Sequence, residues 1–249
     1  MRKTIFYAII SLLLLSGCDT YELTWDWEGA TNPNIKMIYV EGGTFLMGST
    51  NGYSDERPVH SVTLDSYYIA ETEVTQAQWY AVMGSNPSSY TGDNRPVESV
   101  SWDDAMEFCK KLSELTGKKY TLPTEAQWEY AARGGNKSKG YTYSGSNNIE
   151  DVAWYWDNSS SHHAVKTKQP NELGIYDMSG NVWEWCLDWY GDYSSSSQKN
   201  PTGPMSGSRR VLRGGGWNYR ASYCRVADRY YFTPSYRGSG YGFRVVCAP

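Results

Sequence analysis

Beyond Gly134-Gly135 the chain keeps no helical period; a succession of Gly, Tyr, Trp and Ser takes its place. This constrains the fold more than any other feature. A segment without long helices must bury its apolar surface through short strands and loops locked by aromatic packing. The chain has 22 Tyr, 11 Trp and 24 Gly but 5 Phe in 249 residues, so most of its aromatic surface carries a polar handle suited to half-buried sites.

The first half is more regular. Residues 35–39, 43–47 and 60–69 alternate apolar and polar residues between Gly and Pro breaks, which predicts short strands. Thr75 and Gln78 form a capping box that opens a helix ending at Gly84. Ser101 caps a second helix, whose face of Ala105, Phe108, Cys109, Leu112 and Leu115 runs to Gly117. Thr124 and Gln127 cap a third, with Trp128, Ala131 and Ala132 on one face. No internal repeat or break divides this region, so a single α+β domain is expected from residue 35 to 249.

Arg2 and Lys3 precede an apolar core at residues 5–15 that is too short to span a bilayer. Leu15-Ser16-Gly17-Cys18 follows and resembles a lipobox. Residues 1–17 are thus expected to be removed, Cys18 to carry lipid, and residues 18–34 to form a tether. That places the domain in the cell envelope, on the outer-membrane surface, bound to the membrane through Cys18.

A net charge of −4 and a pI near 5.5 leave no electrostatic footprint for nucleic acid. Cys109, Cys186, Cys224 and Cys247 permit disulfides without fixing their connectivity, and the absence of a CxxC pair argues against a zinc ribbon. His162-His163 lies in a Ser-rich loop and reads as solvated, while His60 belongs to a strand. No flavin motif, nucleotide motif or metal triad is present.

Phe45-Leu46-Met47-Gly48, then Glu56-Arg57-Pro58-Val59-His60, open a series of motifs. The series continues with LPTEAQWEYAARGG at 122–135, GIYDMSGNVWEW at 174–185, RVLRGGGW at 210–217 and GFRVV at 242–246. In this order they resemble the formylglycine-generating-enzyme (sulfatase-modifying factor) family. The resemblance implies a C-type-lectin-like fold: a short, twisted antiparallel sheet with helices and long irregular loops. In the family's oxidases two thiolates bind Cu(I), and the positions matching them are Tyr219 and Cys224. A phenol does not replace a thiolate as a soft ligand, so copper and the family's catalysis are not expected. The resemblance also implies a structural Ca²⁺ held by carboxylates of Asp177 and Glu184 and backbone oxygens of Gly180 and Val182. It further suggests a bridge between Cys109 and Cys247. Cys247 lies two residues beyond the family's position, a shift that keeps a strand side chain on the same face.

Within residues 216–241 the chain is similar to the variable region of diversity-generating-retroelement proteins, which use the same fold. There, adenines of Asn codons are copied with errors, and every residue type except Lys, Glu, Gln, Met and Trp becomes reachable. The resemblance marks Ala221, Cys224, Arg225, Val226, Ala227, Arg229, Pro234, Arg237, Gly242, Phe243 and Arg244 as frame. The varied, ligand-binding positions would be Asn218, Tyr219, Arg220, Ser222, Tyr223, Asp228, Tyr230, Tyr231, Phe232, Thr233, Ser235, Tyr236, Gly238, Ser239, Gly240 and Tyr241. A surface of Tyr interleaved with small polar residues has the composition of a paratope. Tyr230-Tyr231-Phe232-Thr233 shows no strand or helix pattern of its own. The sequence thus suggests a monomeric lipoprotein binding a protein or other ligand at this surface. A formylglycine-type oxidase and a structural envelope lipoprotein are the alternatives.

Overall fold

The structure is a computed structural model and describes residues 33–249. The signal sequence, Cys18 and the tether through residue 32 lie outside the described residues. No helix among the described residues is long and apolar enough to cross a membrane.

Four strands come first: β1 (Met37–Val40), β2 (Gly43–Met47), β3 (His60–Leu64) and β4 (Tyr67–Ala70). The alternating stretch at residues 60–69 is two strands that enter different sheets, with Asp65 and Ser66 between them. The Ser66 hydroxyl accepts the Gly42 N–H at 3.0 Å and fixes this corner. β2 pairs with β3, and β1 with β4, both antiparallel.

The three expected helices follow. In α1 (Gln76–Met83), Thr75 Oγ1 accepts from Gln78 N at 3.3 Å and Gln78 Oε1 accepts from Thr75 N at 2.9 Å. Gly84 ends the helix at a φ of 74°, a left-handed cap that costs glycine little. α2 (Trp102–Thr116) uses Ser101 with Asp104 as the reciprocal partner and stops at Gly117. α3 (Glu125–Ala132) starts from the Thr124–Gln127 box. A short α4 (Ile149–Val152), capped by Asn148, lies in the part of the chain without a helical period.

The remaining strands are β5 (Tyr120–Thr121), β6 (Trp183–Trp189), β7 (Gln198–Lys199), β8 (Arg210–Arg213), β9 (Tyr230–Phe232), β10 (Tyr241–Gly242) and β11 (Val246–Cys247). They complete three small sheets, ordered β1-β4-β11-β5, β10-β6-β8-β9 and β2-β3-β7. The α+β class and lectin-like architecture hold, but the single antiparallel sheet does not. β3–β7 and β6–β10 are parallel pairs, each formed by a short strand arriving after a long excursion.

Two apolar clusters carry the packing. In one, Ala105, Phe108, Cys109 and Leu112 of α2 pack with Trp79 and Phe243 beneath the sheet of β6 and β8. Trp79 stacks on Phe108 at 5.4 Å and Phe243 meets Phe108 edge-on at 5.3 Å. Each such side chain contributes about 1.5–3 kcal/mol on burial. The other cluster sets α3 against β2, β3 and β4.

A buried ionic network ties α3 to the last strands. Arg213 of β8 bonds Glu129, and its Nη1 lies 3.3 Å from Glu125 Oε1. Arg229, just before β9, grips Glu125 at 2.7 Å and 2.9 Å. Burial would raise the Glu129 carboxyl, but Arg133 and Arg213 outweigh it and hold the group below its usual range. These pairs fix where β9 leaves the core.

Cys109, Cys186, Cys224 and Cys247 are all buried free thiols, so the bridge suggested between Cys109 and Cys247 is not formed. Cys109 is turned into the α1–α2 core, whereas Cys247 edges a groove beside Tyr67 and Lys119.

Candidate functional site

The surface at residues 216–241 is built by a sharp return of the chain after β8. Gly214 and Gly215 take φ of 95° and 77°. A Cβ on Gly215 would come within 2.7 Å of Cys224 Sγ and 2.8 Å of the Tyr223 carbonyl oxygen, so only glycine lets the chain pass this close. The Trp217 N–H then donates to the Asn181 carbonyl at 2.8 Å, and a short 3₁₀ turn at Ala221–Cys224 follows.

β9 pairs antiparallel with β8, with Tyr230 opposite Leu212, Tyr231 opposite Val211 and Phe232 opposite Arg210. The segment that showed no pattern of its own is therefore the edge strand of a sheet. Its pleat divides the aromatic run. Tyr230 stacks on Trp183 at 5.1 Å, and Phe232 stacks on Tyr236 at 3.9 Å. Tyr231 packs against Tyr190 at 4.3 Å, with the Arg209 guanidinium 4.6 Å from its ring centroid.

The Trp183 face is continuous. Tyr219 meets Trp183 edge-on at 5.3 Å, Tyr223 lies 5.5 Å from Tyr219, and Tyr241 lies 5.2 Å from Tyr236. The hydroxyls of Tyr219 and Tyr241 share a 2.6 Å hydrogen bond. Burial, reinforced by this bond, pushes the Tyr241 phenol well above its usual range. Most of these rings are half-buried, so each offers an edge or face to solvent.

The turn after β9 is pinned from below. Arg237 makes a bidentate pair with Asp104 at 2.7 Å and 2.8 Å, and Trp102 N–H donates to the Pro234 carbonyl at 2.9 Å. Thr233 and Ser235 remain exposed on this turn, as does Arg220 on the preceding loop. Asn218, Ser222, Gly238 and Ser239 are partly covered. Gly240 is buried, its carbonyl accepting the Trp183 N–H at 2.8 Å. Asp228 is fully buried with one oxygen 3.3 Å from Arg225, so it presents no side chain to a ligand. Burial is the main cause raising its carboxyl to about 8, opposed by Arg225 and reinforced by Glu56.

Three contributors lie far away in sequence and carry no local signal. Trp183 is the buried floor of the face. Tyr53 stacks on Tyr223 at 6.0 Å and donates to the Ser222 hydroxyl at 3.3 Å. Trp156 is 61 % exposed, and its N–H donates to the Tyr219 carbonyl at 2.9 Å, which sets it at the rim.

The positions matching the copper thiolates do not form a sulfur pair. Cys224 is buried against Ala153 and Tyr155, and burial pushes its thiol well above the usual range. Tyr219 turns its phenol to Tyr241 instead.

Asp177 and Glu184 lie in one buried acidic cluster with Glu73, a residue the sequence did not single out. Glu184 is held by Arg244 at 2.7 Å and 2.8 Å, and Trp128 Nε1 donates to it at 2.8 Å. Asp177 Oδ2 accepts the Lys166 N–H at 2.8 Å, and Glu73 bonds Asn181 Nδ2 and the Val182 N–H. Among the described residues no group of three or more His, Cys, Asp or Glu side chains converges for a metal. An ion here would rest on two carboxylates and two backbone oxygens, Gly180 and Val182. That donor set would be of the hard, all-oxygen kind that Ca²⁺ takes, but both Glu184 oxygens already accept from Arg244, and burial drives the carboxyls of Glu73 and Asp177 up.

His162 is fully buried, its Nε2 3.5 Å from Glu98 Oε1, and not solvated as its Ser-rich surroundings suggested. His163 stacks on Trp154 at 3.7 Å.

Residues 26–249 match the family model described as the sulfatase-modifying factor enzyme 1-like domain. The chain belongs to this family. Within it, the chain is 33% identical to the formylglycine-generating enzyme of Streptomyces coelicolor, covering 84% of this chain and 88% of that one. It is 36% identical to the chaperone protein LppX of Paenibacillus barcinonensis over 99% of both chains. Among solved structures, Treponema denticola variable protein 1 superposes with a TM-score of 0.82 at 37% identity, covering 86% of this chain and 95% of that one. The sulfatase-modifying factor family thus includes enzymes with this fold, and the fold is also that of a variable protein.

Proposed function

We propose that this chain is a lipid-anchored envelope protein that presents a diversified ligand-binding face, and that it does not carry out copper-dependent oxidation. The observation that carries this reading is the chain of half-exposed rings from Tyr223 through Tyr219, Tyr230 and Phe232 to Tyr236, set over Trp183. Rigid aromatic rings give contact area at small entropic cost, and the neighbouring Ser, Thr and Gly positions adapt. An exposed aromatic edge strand is otherwise an aggregation hazard, which a binding partner would cover.

The division between frame and varied residues supports the same reading. Cys224, Val226, Ala227, Arg229, Gly242, Phe243 and Arg244 are buried, and Arg225 is bound to buried Glu56. Thr233, Ser235 and Arg220 are open, and Thr233 and Arg220 are bonded here through their carbonyls. Replacing them alters the surface without disturbing the core. Asp228, Gly240 and Tyr241 fall on the buried side, so the contact set we propose leaves them out.

The sugar-binding history of the fold's name does not enter, because function resides in the site and not in the architecture. The test is to sequence the 3′ end of the gene across clones and related isolates. Substitutions concentrated at the open positions, with Cys224 and the ion-paired arginines unchanged, are expected. An invariant segment would overturn the diversified reading and leave a fixed partner. Oxygen consumption with a Cys-containing sulfatase peptide and Cu(I) is the companion assay, and turnover there would sink the non-catalytic reading.

A further inference from the structure

A cavity of about 500 Å³ lies outside the aromatic face, between the end of β6, the 191–204 loop, the start of β3 and the first turn of α3. None of the face's rings lines it. At its base is Asp188, only 4 % exposed. Its Oδ2 accepts the Glu125 N–H at 3.0 Å, while Oδ1 has no hydrogen-bond or ion-pair partner among the described residues. Oδ1 is the open oxygen of this carboxyl and is free to meet an occupant of the cavity.

The loop above Asp188 is shaped to leave that oxygen open. Gly203 has a φ of 72°, and a Cβ there would lie 2.9 Å from Asp188 Cβ and 3.2 Å from Oδ1. Any side chain would lie against the carboxyl.

The lining indicates the kind of occupant. Arg229 is taken by Glu125, the Asp55 carbonyl and the Gly191 carbonyl, and Lys199 pairs with Asp65 at 3.2 Å on the surface. The Asp188 carboxyl is driven up to about 8, chiefly by burial and then by Glu125, so at neutral pH it is an uncharged donor and acceptor. His60 donates from Nδ1 to the Pro58 carbonyl at 3.0 Å, and its ring lies against Tyr193 at 4.8 Å. The Arg210 guanidinium lies 3.4 Å from the centroid of the Trp189 ring and occupies one of its faces. The buried lining therefore offers hydrogen-bonding groups with its arginine paired, while the carboxylate of Asp192 stands exposed on the wall, in a volume typical of small-molecule sites.

We propose that this cavity is a second binding site, for a small neutral hydroxyl-rich molecule of the sugar or polyol class, with Asp188 Oδ1 as its central hydrogen-bonding atom. A hydroxyl group both donates and accepts, which matches an uncharged carboxyl.

Titration of the protein with glucose, N-acetylglucosamine and glycerol, followed by NMR, tests this. Saturable shifts at Asp188, Gly203 and Thr202 are expected with at least one of the three. Asp188→Leu should weaken binding about tenfold or more, because a hydrogen-bonding partner is lost. Asp188→Asn, which keeps a donor and an acceptor, should retain it. Thr202→Trp at the exposed rim blocks the mouth without touching the base, and serves if Asp188→Leu does not fold. Tyr236→Ala, on the aromatic face, should leave binding intact. No saturable shift with any of the three molecules, or binding that survives both Asp188→Leu and Thr202→Trp, would overturn the proposal. Loss on Tyr236→Ala would also overturn it and assign the ligand to the aromatic face.

Discussion

Arg244 holds Glu184 by two hydrogen bonds, Nε to Oε2 at 2.7 Å and Nη2 to Oε1 at 2.8 Å, with neither side chain exposed. The same guanidinium bonds the carbonyls of Ala70 and Tyr176, so it joins β6, β4 and the 174–182 loop. Removing it strands a buried carboxylate as well as two carbonyls. Arg244→Ala should cost about 3–5 kcal/mol, read as a lower urea midpoint. A loss below about 1 kcal/mol would show the pair to be dispensable.

Glu184 Oε1 accepts one hydrogen bond, from Arg244 Nη2. If Ca²⁺ binds through Asp177, Glu184 and the Gly180 and Val182 carbonyls, the ion stabilises the native state by mass action. At a hundredfold excess over Kd the gain is about 2.7 kcal/mol. Calorimetry should show Tm rising with Ca²⁺, falling on chelation, and insensitive to Ca²⁺ in Asp177→Ala. A Tm unmoved by millimolar Ca²⁺ in the unaltered chain would remove the ion.

Frame and surface positions should separate sharply in stability. Arg225 bonds both oxygens of buried Glu56, at 2.8 Å and 2.5 Å, so Arg225→Ala leaves a charge without its partner. The expected loss is about 2–4 kcal/mol. Thr233→Ala and Ser235→Ala touch nothing buried and should stay within about 0.5 kcal/mol. Equal losses at the two kinds of position would contradict a rigid frame carrying a tolerant surface.

Asp228 links stability to pH. Its folded pKa, about 8, lies above the unfolded carboxylate value, so the native state binds the proton more tightly. The stability from that proton is complete below roughly pH 4, declines as pH rises toward 8, and is gone above it. Asp228→Asn should therefore match the parent at pH 4 and exceed it by about 1–3 kcal/mol at pH 8. Identical stability curves across that window would refute the assignment.

The thiols give a chemical check. With four buried free cysteines, the native domain should react slowly with a disulfide reagent such as DTNB. Unfolded without reductant, it should release one equivalent for each of Cys109, Cys186, Cys224 and Cys247. Two missing equivalents would restore the bridge between Cys109 and Cys247.

What could be read from the chain was what is encoded within a few residues. The Thr75–Gln78 and Thr124–Gln127 boxes and the stops at Gly84 and Gly117 mark three helices because a cap is satisfied by atoms three positions away. The family motifs set the architecture in the same way, as did the position of Tyr219 where a thiolate would be. The composition around Tyr230 pointed to a surface, but not to which rings share it.

Tertiary structure decided that. The pleat of β9 sends Tyr231 to Tyr190 and keeps Tyr230 over Trp183 and Phe232 against Tyr236, a choice set by pairing with β8 and invisible in a run of four similar residues. Tyr53 and Trp156 reach the face only because distant loops return to it. Asp228 and Asp188 are buried beside residues far earlier in the chain, Glu56 and Glu125, which no local pattern records. Helix caps are local hydrogen bonds; side-chain facing and burial are set by contacts between residues far apart in sequence, and only the folded chain brings those together.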